Sequence, residues 1–462
     1  MTVTNQGFDL DLIRRYDVNG PRYTSYPTAN LFTETFPESA LREALAAEPP
    51  AGGRRPLSLY VHVPFCATIC YYCACNKIIT ANRTHAVEYL ERLFREMAMV
   101  SELVPAAHDV QQLHFGGGTP TYLNDEQFGA VFAALGRHFN LGDGDARDFS
   151  IEIDPRTVDP TRMSYLTGLG INRVSLGIQD FDPDVQRAVN RIQSVEDTRA
   201  IIESARANGV KSVSVDLIYG LPLQTPERFA NTLATILDLA PDRISLYSYA
   251  HLPQRFKTQR QINVLDLPAA ETKLRLLEMA IETLSANGYD YIGMDHFARH
   301  EDSLVEAQRE GGLHRSFQGY TTHSHCDLIG LGVSAISTVG EVYAQNCKSL
   351  KDYNARIDAG ELAVERGVVT SAEDRLRRDV IGALMCDFHA DLAAIGRAHG
   401  VDGTDHFAQE LERLAAFEAD GLVRIDGSVV DVTPRGRFLI RNICMTFDAY
   451  LAPATEAFSK AI

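Results

Sequence analysis

Six short runs rich in β-branched and aromatic residues recur up to residue 249: 57–63, 110–115, 149–154, 173–178, 212–219 and 243–249. Longer segments with apolar residues at three- and four-residue spacing separate them, for example HAVEYLERLFREMAMVSEL and VEDTRAIIESARANG, the second stopped by Gly209. This alternation restricts the chain to repeated βα units and hence to a parallel sheet. After each run comes unusual polar or glycine-rich sequence: PFCATICYYCAC, GGGTPT, DPRT, QDF, GLP and AHLP. The carboxyl edge of a parallel βα array is where active sites are built, so the chemistry is expected there.

The expected architecture is α/β with three parts. Residues 1–50 read as an N-terminal extension, 51–354 as the βα body with trailing elements, and 355–462 as a mostly helical C-terminal domain. In that last part the helical periods AEDRLRRDVIGALMCDF and FAQELERLAAFEADG precede a two-strand pattern, LVRIDGSVVDVT, which makes it winged-helix-like. Residues 371–462 carry 10 Lys or Arg against 15 Asp or Glu, so a basic DNA-reading surface is missing and a structural or capping role is expected.

The formal charge of −17 gives no general attraction to nucleic acid or anionic lipid, so an anionic substrate must be met by local Arg or Lys. No apolar run is long enough to cross a bilayer and no secretory pattern opens the chain, which leads to the expectation of a cytoplasmic protein. Four of the eight cysteines lie within ten residues, at Cys66, Cys70, Cys73 and Cys75. Without a secretory context this grouping points to metal or redox chemistry, not to a disulfide framework.

Cys66-x3-Cys70-x2-Cys73 follows the first run directly. Three thiolates on one loop can each take one iron of a four-iron cluster, leaving the fourth iron open to an external ligand. A zinc knuckle would need a fourth ligand, for which Cys75 and His62 are available, but the two-residue step from Cys73 to Cys75 is awkward for zinc. The tract Gly116-Gly117-Gly118-Thr119-Pro120 allows close approach of backbone to a polar ligand, although alone it fits a tight turn equally well. Later strand ends offer Glu152, Asp154, Gln179, Arg191 and Asp216. Asp154 could be a helix cap; Glu152 and Asp216 fall inside apolar runs, where an unpaired charge would be costly.

YVHVPFC with the three cysteines and GGGTP resembles the radical S-adenosylmethionine (SAM) superfamily. The strings GPRYTSYPT, CYYCACNK, IEIDPRT, GIQDF, DLIYGLP, YAHLP, FQGYTT and GRFLIRNICM resemble the oxygen-independent coproporphyrinogen III oxidase family, over about residues 8 to 455. The resemblance implies a partial (β/α)6 barrel, one 4Fe-4S cluster on Cys66, Cys70 and Cys73, and two SAM molecules. It places Tyr60, Gly117, Glu152 and Ile336 at the cluster-bound SAM, and Tyr72, Gly118, Thr119, Gln179, Arg191, Asp216 and Ala250 at the second.

By the same resemblance, a 5′-deoxyadenosyl radical from SAM converts two propionate side chains of coproporphyrinogen III to vinyl groups, giving protoporphyrinogen IX for haem biosynthesis. An electron donor such as a flavodoxin is implied, and a monomer is expected. Arg22, in an extension resembling a lid, is a candidate for binding a substrate carboxylate. Gln318 and Cys75 are further candidates near the reacting centre, and His62, His114 and His296 are expected as supports. The alternative is the related haem chaperone, which lacks the fourth loop cysteine and carries a motif ending in Tyr-Trp; this chain has Cys75 and no Trp.

Overall fold

The computed structural model describes residues 10–16, 18–49, 53–142, 144 and 146–451. The outermost parts of the expected extension and C-terminal domain, and both ends of the stretch from 8 to 455, fall outside these residues.

All six β-rich runs form strands: β1 (Arg55–Val63), β2 (His108–Gly117), β3 (Asp148–Ile153), β4 (Arg173–Gln179), β5 (Ser212–Tyr219) and β6 (Arg243–Ser248). Each is hydrogen-bonded in parallel to the next. The helical segments between them behave as their spacing predicts. Thr84–Leu103 buries Ala86, Tyr89, Leu90, Leu93, Met97 and Val100 along one stripe. Val195–Ala207 starts at Ser194, whose side chain accepts from the Asp197 amide, and gives way to Gly209 at φ +77°.

Six further strands extend the sheet beyond the six runs: β7 (Tyr289–Gly293), β8 (His296–Arg299), β9 (Asp327–Leu331), β10 (Ile336–Val339), β11 (Val342–Asn346) and β12 (Val364–Val369). The order across the sheet is β12-β11-β10-β9-β1-β2-β3-β4-β5-β6-β8-β7. The two ends do not pair, so the barrel stays partial. β12 corrects one expectation: strands do not give way to helices at about 355, because Val364–Val369 pairs antiparallel with β11. Its sequence, VERGVV, with Glu365 and Arg366 charged, is that of an edge strand and lacks the apolar run of a central one.

The two faces of β1–β6 differ sharply. Outward residues such as Leu57, Leu59, Leu113, Phe115, Ile151, Leu176, Val215 and Leu246 are fully buried under the helices. Inward residues, including Ser58, Gln112, Ser150, Ser175, Ser214 and Ser245, line cavities. A closed (β/α)8 barrel fills its interior with branched apolar side chains. Here the lumen is polar and open.

Beyond β12, Ala372–Asp387 begins at Ser371, which forms a capping box with Asp374. Three short strands, His389–Asp391, Val423–Asp426 and Val429–Val432, make a small antiparallel sheet with the last in the middle. The extension packs on this cap: Arg15 and Tyr16 both bind Asp420, at 2.8 and 2.7 Å, and the Tyr23 hydroxyl donates to Asp448 at 2.9 Å. No described helix is long and apolar enough to cross a membrane.

Candidate active site

The loop after β1 carries Cys66 and Cys70, both buried, Cys73, half-buried, and Cys75, exposed; none is in a disulfide. Several groups from other strand ends converge on their sulfurs. Thr119 Oγ1 donates to Cys66 Sγ at 3.3 Å. Guanidinium nitrogens of Arg156 and Arg191 each lie 3.5 Å from Cys70 Sγ. A hydrogen bond from the Cys75 thiol pulls the Cys73 pKa down despite burial, with Lys77 adding to the effect, while Cys75 is driven up by the same bond. Burial pushes Cys66 up to about 11 even though Thr119 helps its thiolate. Three free thiols on one loop, with two guanidinium groups at Cys70, are a donor set suited to an anionic iron–sulfur cluster, and the residues fit that group.

The glycine tract packs on the backbone that leads into the cysteine loop. A Cβ on Gly117, at φ +122°, would stand 2.8 Å from the Val63 carbonyl, and one on Gly118 would stand 2.6 Å from that of Pro64. One on Gly116 would meet Glu152 Oε1 at 2.9 Å and the Tyr60 hydroxyl at 3.0 Å. The tract is therefore a close-packed floor as well as a turn.

Beside the thiols opens a cavity of about 360 Å³, large enough for a small cofactor. Cys66, Cys70, Cys73 and Cys75 line it, together with Tyr72, Gly117, Gly118 and Thr119. Glu152, Gln179, Arg191, Asp216 and Ala250 complete the wall. Four predicted residues lie elsewhere. Tyr60 stacks on His114 with centroids 5.8 Å apart, and His114 Nε2 reaches Glu152 at 3.3 Å. Ile336 packs its carbonyl against Gly330, which is in register with Tyr60. Arg22 sits 3.6 Å from Asp295 and over the Tyr247 ring. Gln318 lines two other cavities.

Carboxylates in the cavity differ in state. Burial raises Asp216 to about 7, and the neighbouring Glu152 charge adds to the shift. Asp154 is held below its ordinary value: burial opposes its charge, but a hydrogen bond from Arg156 and the Arg191 guanidinium outweigh it. Asp154 does cap the short helix Pro155–Thr157, and it also pairs Arg156 at 2.6 Å and Arg191 at 3.2 Å. The cap reading of that residue therefore holds, with the two ion pairs added to it. His62 joins the Tyr60 hydroxyl at 3.0 Å to the Asn76 carbonyl at 3.1 Å, tying β1 to the cysteine loop, and burial keeps it neutral.

Sequence reasoning missed Arg156 and Gln259. Arg156 stands in the DPRT string, where only its neighbour was weighed. Gln259 Nε2 donates to the carbonyls of Tyr72 and Ala250 at 3.0 and 3.1 Å, clamping the cysteine loop to the end of β6; nothing local in QRFKTQRQ marks it.

Comparison with known proteins bears on this arrangement. Residues 60–236 match the Radical SAM superfamily and 370–439 the HemN C-terminal domain. The chain is 52% identical to the oxygen-independent coproporphyrinogen III oxidase of Pseudomonas aeruginosa, covering 98% of this chain and 99% of that protein. It is 48% identical to the protein of the same name from Escherichia coli, over the full length of both. The solved structure described as coproporphyrinogen III oxidase (HemN) from Escherichia coli, a radical SAM enzyme, superimposes with a TM-score of 0.91 at 48% identity, covering 96% of this chain and 99% of that one. With the cysteine loop, the glycine floor and the carboxylate-lined cavity in place on that fold, the chain belongs to the oxygen-independent coproporphyrinogen III oxidase family of the radical SAM superfamily.

Proposed function

We propose that this chain decarboxylates two propionate side chains of coproporphyrinogen III oxidatively, without oxygen, to give protoporphyrinogen IX. The observation that carries the reading is the set of free thiols of Cys66, Cys70 and Cys73, with Arg156 and Arg191 on Cys70, at the edge of a cavity that also holds Glu152 and Asp216. When bound, the cluster and SAM supply one-electron reduction and a carbon radical able to take a hydrogen atom from a propionate.

The protein's own share is position and exclusion of water. Cys66, Cys70 and Cys73 would hold the cluster. Tyr60, Gly117, Glu152 and Ile336 are assigned to a first SAM, and Tyr72, Gly118, Thr119, Gln179, Arg191, Asp216 and Ala250 to a second. Arg191 and Arg156 balance the sulfur charge, while Asp154 fixes both guanidinium groups. Gln318 faces the substrate, Arg22 is held on Asp295 at the extension, and Cys75, which lines the thiol cavity, would stand near the reacting centre. The extension before residue 50 acts as a lid, the body runs to about residue 369, and the remainder caps it. A monomer in the cytoplasm served by a flavodoxin-class electron donor completes the reading.

The test is an anaerobic assay of reconstituted protein with SAM, reductant and coproporphyrinogen III, following protoporphyrin and 5′-deoxyadenosine, with Cys70→Ala alongside. Both products in the unsubstituted protein and neither in the variant are expected. Tightly retained haem with no turnover would overturn the reading.

A further inference from the structure

A second cavity, of about 330 Å³, lies between the extension, the barrel wall and a hairpin formed by His314–Ser316 and Gly319–Thr321. It shares Gln112, Gln318 and Thr321 with a cavity of about 180 Å³ inside the strand array. That lumen cavity in turn shares Glu152, Asp216 and Tyr247 with the thiol cavity. Polar residues shared between adjoining cavities therefore run from the cysteine loop to the hairpin.

Arg315 stands on this hairpin opposite Tyr320, its guanidinium 4.8 Å from the ring centroid, and is only 9% exposed. Tyr320 is anchored through its hydroxyl to the Met385 carbonyl at 3.1 Å, so the ring that supports Arg315 is itself held by the cap. The neighbouring arginines are engaged. Arg22 is 3.6 Å from Asp295, Arg243 binds Asp302 at 2.9 Å, and Arg441 donates to the carbonyls of Gly20 and Pro21. Arg315 has no ion pair among the described residues, and its Nε and Nη1 are enclosed without an acceptor. Three residues along, the side-chain Nε2 of Gln318 is also enclosed and unpartnered.

Buried donors are normally matched, and a guanidinium fork matches a carboxylate best. We propose that Arg315 and Gln318 form a carboxylate cradle that holds one propionate of the porphyrinogen. This rests on the function proposed above. A tetracarboxylate entering a chain of net charge −17 needs a cation not already neutralised by a protein carboxylate, and Arg315 is such a group.

The test uses reconstituted holoenzyme with Arg315→Ala, Arg315→Lys and Gln318→Ala, with iron content and SAM binding as checks on the fold. Arg315→Ala should raise KM for coproporphyrinogen III by at least about tenfold while kcat falls less, with Arg315→Lys intermediate and Gln318→Ala weaker than Arg315→Ala in effect. Millimolar guanidinium should recover KM in Arg315→Ala, which a purely structural arginine would not allow. If Arg315→Ala loses its iron, the Lys variant carries the test through the same KM measurement. An unchanged KM, or a raised KM that guanidinium leaves raised, overturns the cradle. Failure of the unsubstituted enzyme to make protoporphyrinogen overturns the function instead, and quenching of protein fluorescence by coproporphyrin in each variant then tests the cradle separately.

Discussion

Along β1–β6 the same six strands present two surfaces of opposite character. Outward side chains are large, apolar and sealed under helices; inward ones are serines, glutamine, histidine and carboxylates facing connected cavities. The strands alternate with period two, so one backbone serves both a packed core and a reaction chamber. The contrast teaches that stability and chemistry are separable here by which face a residue occupies.

Removing one iron ligand should give the largest effect. Cys70→Ala is expected to abolish product formation while circular dichroism and melting temperature of the cluster-free protein stay close to those of the unsubstituted chain. On the opposite face, Leu176→Ala should cost about 2–5 kcal/mol in denaturant unfolding, because Leu176 is fully buried and the site cannot refill. A loss of activity at full stability in that variant would break the division between the faces.

Glu96 sharpens the comparison, being a carboxyl in the sealed layer. It accepts from the Gly332 amide at 2.7 Å, Asn346 at 2.6 Å and Tyr353 at 2.7 Å, and burial raises its pKa to about 7. The folded state thus keeps a proton that the unfolded chain gives up near the ordinary carboxyl value. Its contribution to stability is full below that value and lost as pH rises through about 7. Melting curves from pH 4.5 to 8 should show this decline, and Glu96→Gln should flatten it. The smallest effect is expected for Ser175→Ala on the lumen face. Its hydroxyl is 3.4 Å from Asp216, so stability should change by less than about 1 kcal/mol, while KM for SAM rises measurably. A large loss of stability in that variant would show that the lumen polar layer carries the fold as well as the site.

Much of the site is legible because it sits where strands end. The cysteine loop, the glycine tract and Gln179 follow or close a recognisable run, Glu152 and Asp216 break one, and with Arg191 all of these but the first glycine meet in one cavity. Gly116 faces Tyr60 and Glu152 instead. The edges of the sheet were harder to read. HFAR of β8 and VERGVV of β12 are too short or too polar for periodicity to mark them, and they become strands because β6 and β11 offer open edges.

By itself, the sequence determines the alternation of strands and helices, the cysteine spacing that suits a cluster and the net charge that demands a local cation. Those properties are local or additive, so composition and period carry them. Tertiary structure alone decides which arginines are already spent: Arg191 and Arg156 on Asp154, Arg243 on Asp302, Arg22 on Asp295, with Arg315 left facing a cavity. Apart from Arg156, two residues from Asp154, these pairings join residues tens to hundreds of positions apart, which no local pattern encodes and only the packed sheet brings together.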